Sequence, residues 1–245
     1  MMKPLAVVAK RELSGYFTTP VAWIFLIIFV ALSGMLTFYA GNFFERSQAD
    51  LQSFFMFHPW LYVFLISAVS MRMWAEERRS GTIELLMTLP VSTADLVLGK
   101  FLAAWIFVAA ALVMTFPIWW TVNYLGVPDN GVIIMSYFAS FMIAGTFLSV
   151  GSCLSACTKS QIVAFVLTMM ACILLTFLGS DALTNAFSGM ATEKMLKLLK
   201  SFGFLVHYMS ITRGVLDLRD IIFFVSFDSV FLFATVIVLE RKKAE

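Results

Sequence analysis

The sequence predicts an all-α integral membrane protein with six transmembrane helices, and three observations carry this prediction. Apolar residues make up 61% of the chain, whereas charged residues make up only 13%, about half the share that is usual in soluble domains. The mean hydropathy is +0.92. The apolar residues also gather into stretches of about 20 residues, the length that a helix needs to cross the hydrocarbon of a bilayer.

The predicted spans lie within one membrane domain, 1–245, and leave no room for a separate soluble domain. Thr19 and Pro20 introduce the first span as a cap residue and a proline suited to the first helical turn. Pro117 lies inside the third span and is expected to kink it. The six spans are expected at about 21–40, 54–73, 101–125, 132–156, 162–179 and 221–239.

Lysine and arginine residues predict the orientation, because short cytoplasmic loops are enriched in them. If the N-terminus is cytoplasmic, the first outer loop holds only Arg46, and the turn LGVPDNG holds no basic residue. The inner segments then hold most of the remaining basic residues, among them Lys10, Arg11, Arg72, Arg78, Arg79, Lys100, Lys159 and Arg241. We therefore expect a multi-pass protein with both termini in the cytoplasm.

Two segments outside the spans show helical periodicity. Residues 1–17 place an apolar stripe that includes Leu5, Val8 and Leu13 opposite a polar stripe, which is typical of a helix lying in the membrane interface. Residues 181–218 have apolar residues at helical spacing opposite lysines. They are expected to form short extracytoplasmic helices on or in the outer leaflet, with a small solvated cap as the alternative.

A third segment, residues 74–100, reads WAEERRSGTIELLMTLPVSTADLVLGK and is the most charged part of the chain. Ser80 or Thr82 can cap a helix, and Glu84 lies where a first-turn acid is favoured. Ile83–Leu89 then forms a short apolar helix, and Pro90 ends it. The residues suited to open the next helix are Ser92 or Thr93 with Asp95. A flank of the positive-inside kind would explain the arginines but not this succession of stop and restart.

Catalytic, metal and nucleotide motifs are absent from the sequence. There is no phosphate-binding loop, no zinc-protease motif and no nucleophile elbow. His58 and His207 stand beside aromatic residues and are predicted to be interface anchors rather than ligands. Cys153 and Cys157 share a helix face without a histidine or carboxylate, so packing is the expected role. We therefore expect no catalytic residue, no bound metal and no nucleic-acid partner.

Asp228 is the one clear acid within a predicted span. A charged group at that depth is costly and usually faces a protein interior or a cavity. A polar contact between helices or subunits is one interpretation, and an ion-coupled carrier built around Asp228 is the other. One acid is little for ion coupling, because secondary transporters typically show several such groups or broken helices near the midplane.

Three stretches carry a resemblance to a known family. The run AEERRSGTIELLMTLPVSTADLVLGKF is similar to the loop between helices two and three of ABC-2-type transporter permeases, the transmembrane subunits of type V ABC exporters. The branch it resembles most is the gliding-motility-associated one. GSCLSACTKSQIVAFVLT (151–168) resembles the turn between helices four and five. HYMSITRGVLDLRDIIFFVSFDSVFLFATVIVLERKK (207–243) resembles the last span and basic tail.

The resemblance implies a non-catalytic permease subunit in the bacterial cytoplasmic (inner) membrane. Such a subunit forms a homodimer or pairs with another permease subunit, and it sits on separate ATPase subunits that bind ATP and magnesium. In the family the helix-two to helix-three loop is a coupling helix that inserts into the ATPase. An accessory membrane subunit with a large extracytoplasmic domain often accompanies that branch. Membrane lipid is the remaining expected partner.

Carried onto this chain, the resemblance implies a set of ATPase-coupling residues. The charged run 76–79 would contact the ATPase, Gly81 and Thr82 would set a turn, and the turn 158–161 would be a second contact. The full set is Glu76, Glu77, Arg78, Arg79, Gly81, Thr82, Ile83, Glu84, Leu85, Leu86, Leu89, Pro90, Lys159 and Gln161. Besides an exporter, a mechanical module that carries no solute shares every one of these features.

Overall fold

The computed structural model describes residues 4–46, 48–88, 90–178 and 202–243, and these form helices and short connections without a β-strand. A π-helical turn, Leu36–Ala40, extends the second helix. The helices are α1 Pro4–Thr18, α2 Pro20–Met35, α3 Gln52–Ser70, α4 Ala75–Ser80, α5 Thr82–Thr88, α6 Thr93–Met114, α7 Phe116–Leu125, α8 Asn130–Cys157, α9 Gln161–Phe177, α10 Phe204–Thr212 and α11 Leu218–Lys243.

Five helical stretches of the described chain are long and apolar enough to cross a membrane. They are Pro20–Ala40, Gln52–Ser80, Thr93–Leu125, Asn130–Cys157 and Leu218–Arg241. The predicted fifth span corresponds to α9, which is apolar but shorter. The all-helical membrane architecture is confirmed, and the number of six spans stays a prediction.

The third span is broken where its proline predicted a kink. α6 ends at Met114, and α7 begins at Phe116 with Pro117 in its first turn. The hydroxyl of Thr115 donates to the carbonyl of Leu112 at 2.6 Å, which satisfies a carbonyl at the end of α6. The helix that leads into this span starts at Thr93, with Ser92 accepting a hydrogen bond from the Asp95 amide at 3.0 Å. Both features follow the sequence prediction.

α8 lies at the centre of the bundle and contacts α3, α6, α9, α10 and α11. Small residues let these neighbours approach closely, as is common between membrane helices. A Cβ placed on Gly151 would lie 2.5 Å from the Ser70 side chain and 3.0 Å from Thr168. Gly145 similarly makes room for the ring of Trp105. Hence α3, α8 and α9 cross at a point where only glycine fits.

α1 packs along α6, and its apolar stripe faces the protein; its place in the membrane interface stays a prediction. Val8 is buried, and Tyr16 stacks on Phe107 with 5.2 Å between ring centroids. A Cβ on Gly99 would lie 2.7 Å from Val8 Cγ1, so the Val8 side chain packs directly on the backbone of α6. Of the expected extracytoplasmic segment 181–218, residues 181–201 lie outside the described residues. Its described remainder contains α10.

The two histidines are buried, so their prediction as interface anchors is wrong. His58 is fully buried, and its Nδ1 lies 2.7 Å from Ser140 Oγ. His207 lies in the interior against Asp220, with 2.6 Å between Nδ1 and Oδ1. Buried polar groups need such partners. The partners of these rings come from other helices, which the aromatic residues adjacent in sequence could not indicate.

Pro59 leaves a backbone carbonyl of α3 without its helical donor, because proline has no N–H for the carbonyl four residues earlier. That carbonyl belongs to Phe55, and the hydroxyl of Tyr208 on α10 donates to it at 2.6 Å. Tyr208 and Phe55 are both almost fully buried. The side chain of one helix therefore completes the backbone hydrogen bonding of another.

Replacing Tyr208 with Phe is expected to lower the free energy of unfolding by about 1–3 kcal/mol, because the Phe55 carbonyl is then buried without a donor. Thermal unfolding of the purified protein measures the change. In a Pro59→Ala background the restored amide supplies the donor, so the same substitution is expected to cost much less. An equal cost in both backgrounds would show that the hydroxyl does not act through this carbonyl.

Candidate functional site

Residues 71–92 form a helical elbow at one end of the bundle, between α3 and α6. The elbow follows the order that the sequence predicts: α4, a turn, α5, a stop and the restart at Ser92. Gly81 makes the turn with φ of 73°, a left-handed conformation that glycine adopts without steric cost. Two short helices therefore replace a flexible loop.

The start of the elbow is held on α8 through Trp74. The backbone amides of Trp74 and Ala75 both donate to Ser155 Oγ, at 3.2 and 3.1 Å. The indole Nε1 of Trp74 donates to Ser152 Oγ at 3.0 Å. These groups are buried, where each satisfied hydrogen bond also avoids a desolvation penalty. The junction between α3 and α4 is thus fixed to the fourth predicted span.

Arg78 joins α4 to the end of α8. Its guanidinium donates to the carbonyl oxygen of Ala156 at 2.8 Å, where the last carbonyls of a helix attract a cation. α4 contacts both α8 and α9. The turn that connects those two helices, with exposed Lys159 and half-buried Gln161, therefore lies beside the elbow. The two groups of predicted coupling residues come together at one end of the bundle.

Lys100 on α6 joins three helices. Its Nζ lies 2.7 Å from Glu77 Oε1 on α4 and 3.1 Å from Glu12 Oε2 on α1. It also lies 5.2 Å from the centroid of the Trp74 ring, within range of a cation–π interaction. The lysine side chain is only 4% exposed, so its charge is compensated by these groups rather than by water.

The two carboxylates that share Lys100 respond differently to it. For Glu77, burial is the largest influence and raises the pKa above its usual range despite the lysine. For Glu12, burial acts in the same direction, but Lys100 and Arg11 outweigh it and the pKa is lowered. One cation cannot fully compensate two partly buried carboxylates. Glu77 Oε2 is also buried without a hydrogen-bond partner among the described residues.

The outward side of the elbow remains accessible. Arg79, Gly81, Thr82, Glu84 and Pro90 are exposed, and Ile83 is half-buried. Leu86 is buried, and Ile83 packs α5 against the hydrophobic core. Leu89 and the side chain of Leu85 lie outside the described set. The elbow therefore presents a surface with both charge signs at the end of the bundle.

Three of the four charges in the run 76–79 have partners within the chain. Glu76 pairs with Arg72 at 3.2 Å, in addition to the contacts of Glu77 and Arg78. Arg79 alone among the four is exposed. The sequence analysis did not identify Lys100 as a site residue, because its partners Glu12 and Glu77 lie on other helices.

Asp228 is 8% exposed and lies within the bundle. Ser149 Oγ on α8 donates to its Oδ1 at 3.2 Å. The contact joins α11 to α8, so it lies between helices of one chain. The described residues contain no cluster of three or more histidine, cysteine or acidic side chains suited to a metal ion.

A bundle of long apolar helices with a stiff charged elbow at one end defines a multi-pass membrane protein. Its sequence matches the family described as ABC-2 family transporter protein over residues 6–239. The chain therefore belongs to the ABC-2 transporter family. No curated protein matches the chain closely enough to refine this.

Proposed function

We propose that the chain is the permease subunit of an ABC transporter, driven by a separate ATPase subunit that docks on the elbow. The observation that carries the proposal is the elbow itself: two short helices with an exposed, charged outer side and buried ties to the bundle. This end would face the cytoplasm, in agreement with the distribution of lysine and arginine.

The hydrogen bonds and ion pairs of the elbow allow it to transmit motion from an ATPase to the bundle. Motion delivered to α4 reaches α8 through Trp74 and Arg78, and it reaches α6 and α1 through Glu77 and Lys100. A segment rich in glycine and serine behaves as a flexible coil and would lose such motion. ATPase closure would then shift the bundle between two arrangements by favouring one of them.

The contacts within the chain divide the proposed coupling residues into two groups. Arg79, Thr82, Glu84 and Lys159 are exposed and would touch the ATPase. Glu76, Glu77 and Arg78 would instead position the docking surface, because their charged groups already have partners. This division changes how the site should be tested, since charge reversal at Arg78 would disturb the bundle itself.

Reversing the two exposed charges, in the double variant Arg79→Glu and Glu84→Lys, is expected to weaken ATPase docking about tenfold or more. Insertion should be unchanged, because neither side chain has an ion-pair partner among the described residues. The measurement is ATP hydrolysis, together with mass spectrometry of what co-purifies with the tagged chain from its native membranes. Arg219→Glu is the matched control, since Arg219 is exposed at the opposite end.

Two results would contradict the proposal. One is equal co-purification of an ATPase with the double variant and the control. The other is transport by the reconstituted chain alone that Asp228→Asn abolishes, which would favour an ion-coupled carrier. If the complete complex hydrolyses ATP but moves no solute or lipid in vesicles, the chain is a mechanical module instead.

The other subunits of the complex are proposed from the resemblance described above. It includes a second permease subunit, identical or related, in the bacterial inner membrane, and an accessory subunit with a large extracytoplasmic domain. A link to gliding-motility machinery rests on the same resemblance. The strongly exposed apolar faces of α2 and α11 leave room for lipid or for another subunit.

A further inference from the structure

A cavity of about 310 Å³ opens at the end of the bundle opposite the elbow. Its walls come from the start of α3, the start of α8 and one face of α10. This volume falls within the range of small-molecule sites in proteins. It has no part in the ATPase docking proposed above.

The interior of the cavity is apolar. Phe55 and Ile133 are buried in its walls, and Met56 and Met209 add flexible side chains at its sides. Methionine adapts to irregular apolar shapes. Such a lining favours an aliphatic or aromatic body over a polar one, because apolar contact is gained without burying an unpaired polar group.

The mouth of the cavity carries charge, with two carboxylates against one guanidinium. Asp129 Oδ1 accepts hydrogen bonds from the amides of Gly131 and Val132, at 2.9 and 3.3 Å, and Asp50 Oδ1 accepts one from the Gln52 amide at 3.1 Å. Within the described chain, the second oxygen of each carboxylate has no hydrogen bond. Arg213, the residue that follows α10, is exposed and also lines the cavity.

Hydrogen bonds join the walls of the cavity to one another, so the space is formed before any ligand enters. Tyr208 donates to the Phe55 carbonyl across α10 and α3. Ser136 Oγ donates to the Thr212 carbonyl at 3.3 Å and joins α8 to α10. Preformed sites bind with little cost of ordering.

We propose that this cavity binds a small amphiphile with an apolar body and a positively charged ammonium head. The body occupies the apolar interior, and the head lies between Asp50 and Asp129 at the mouth. Two carboxylates against one guanidinium favour a cation over an anion of the same shape. Binding at this site does not depend on an ATPase and can be measured on the chain alone.

The test is isothermal titration of the full chain in nanodiscs with hexyltrimethylammonium, after subtraction of the signal from protein-free nanodiscs. Saturable binding is expected for the wild type. Met209→Trp fills the cavity and is expected to weaken binding at least tenfold. Val206→Trp is the matched control, because Val206 is similarly exposed on α10 but does not line the cavity.

A milder variant keeps the proposal testable if the tryptophan disturbs the fold. Asp50→Asn is expected to weaken binding of hexyltrimethylammonium up to about fivefold, the range of an exposed ion pair. Binding of neutral hexanol should be unchanged. The proposal is overturned if hexyl sulfate binds as tightly as the ammonium. It is equally overturned if Met209→Trp and Val206→Trp bind like the wild type, or if the wild type shows no saturable binding.

Discussion

Replacing Lys100 with Met is expected to lower the free energy of unfolding by about 3 kcal/mol. The substitution keeps the length of the side chain but leaves Glu77 without its cation and Glu12 with Arg11 alone. Breaking a buried ion pair on one side is costly because the remaining charge is uncompensated. Denaturant unfolding in detergent micelles measures the change.

The electrostatic origin of this effect can be separated from packing. The triple variant Lys100→Met, Glu12→Gln, Glu77→Gln removes all three charges and is expected to recover at least about half of the lost stability. Lys10→Met is the control, since Lys10 is exposed on α1 and has no ion pair among the described residues. A triple variant no more stable than Lys100→Met would mean that the lysine acts mainly through its methylenes.

Gly151→Val is expected to destabilise the bundle by about 3 kcal/mol, through steric overlap at the crossing of α3, α8 and α9. Even the first added carbon would lie 2.5 Å from Ser70, and valine adds two more. Overpacking of a filled interior forces backbone shifts that cost about 1–3 kcal/mol, and more where backbone must move. Thermal unfolding and the yield of monodisperse protein measure the result.

Gly34→Val provides the matched control for this overlap. Gly34 also lies inside a helix, but a Cβ there would meet nothing within 4 Å. Both substitutions exchange glycine for a β-branched residue, so their helix-propensity terms are similar. The difference between the two variants therefore isolates the helix crossing. If both variants were equally stable, the three helices would have room to separate.

Local signals made several elements predictable from the sequence. Pro117 indicated the kink because proline interrupts a helix regardless of its surroundings. Pro90 and Ser92 indicated the stop and restart of the elbow, and the stripe of α1 indicated its buried side. Each of these features depends on residues that are close together in the chain.

Contacts between distant helices were not predictable, for a physical reason. Lipid and protein interior are both apolar, so a spanning helix shows little contrast between its buried and exposed faces. The central place of α8 and the burial of His58 therefore left no trace in the periodicity. Lys100 and its partners are also far apart in sequence, and only the fold brings them together.

The ties of Trp74 and Arg78 have a consequence for how the molecule divides into rigid bodies. α4 continues α3 in sequence, yet its hydrogen bonds to other helices reach α8, and its ion pair with Lys100 reaches α6. The non-helical turn 71–74 separates α3 from α4. In kinematic terms, α4 belongs with α8 and α6 rather than with α3, and the turn is the hinge. A force on the elbow would therefore move α8 and α6 together, and α3 would follow.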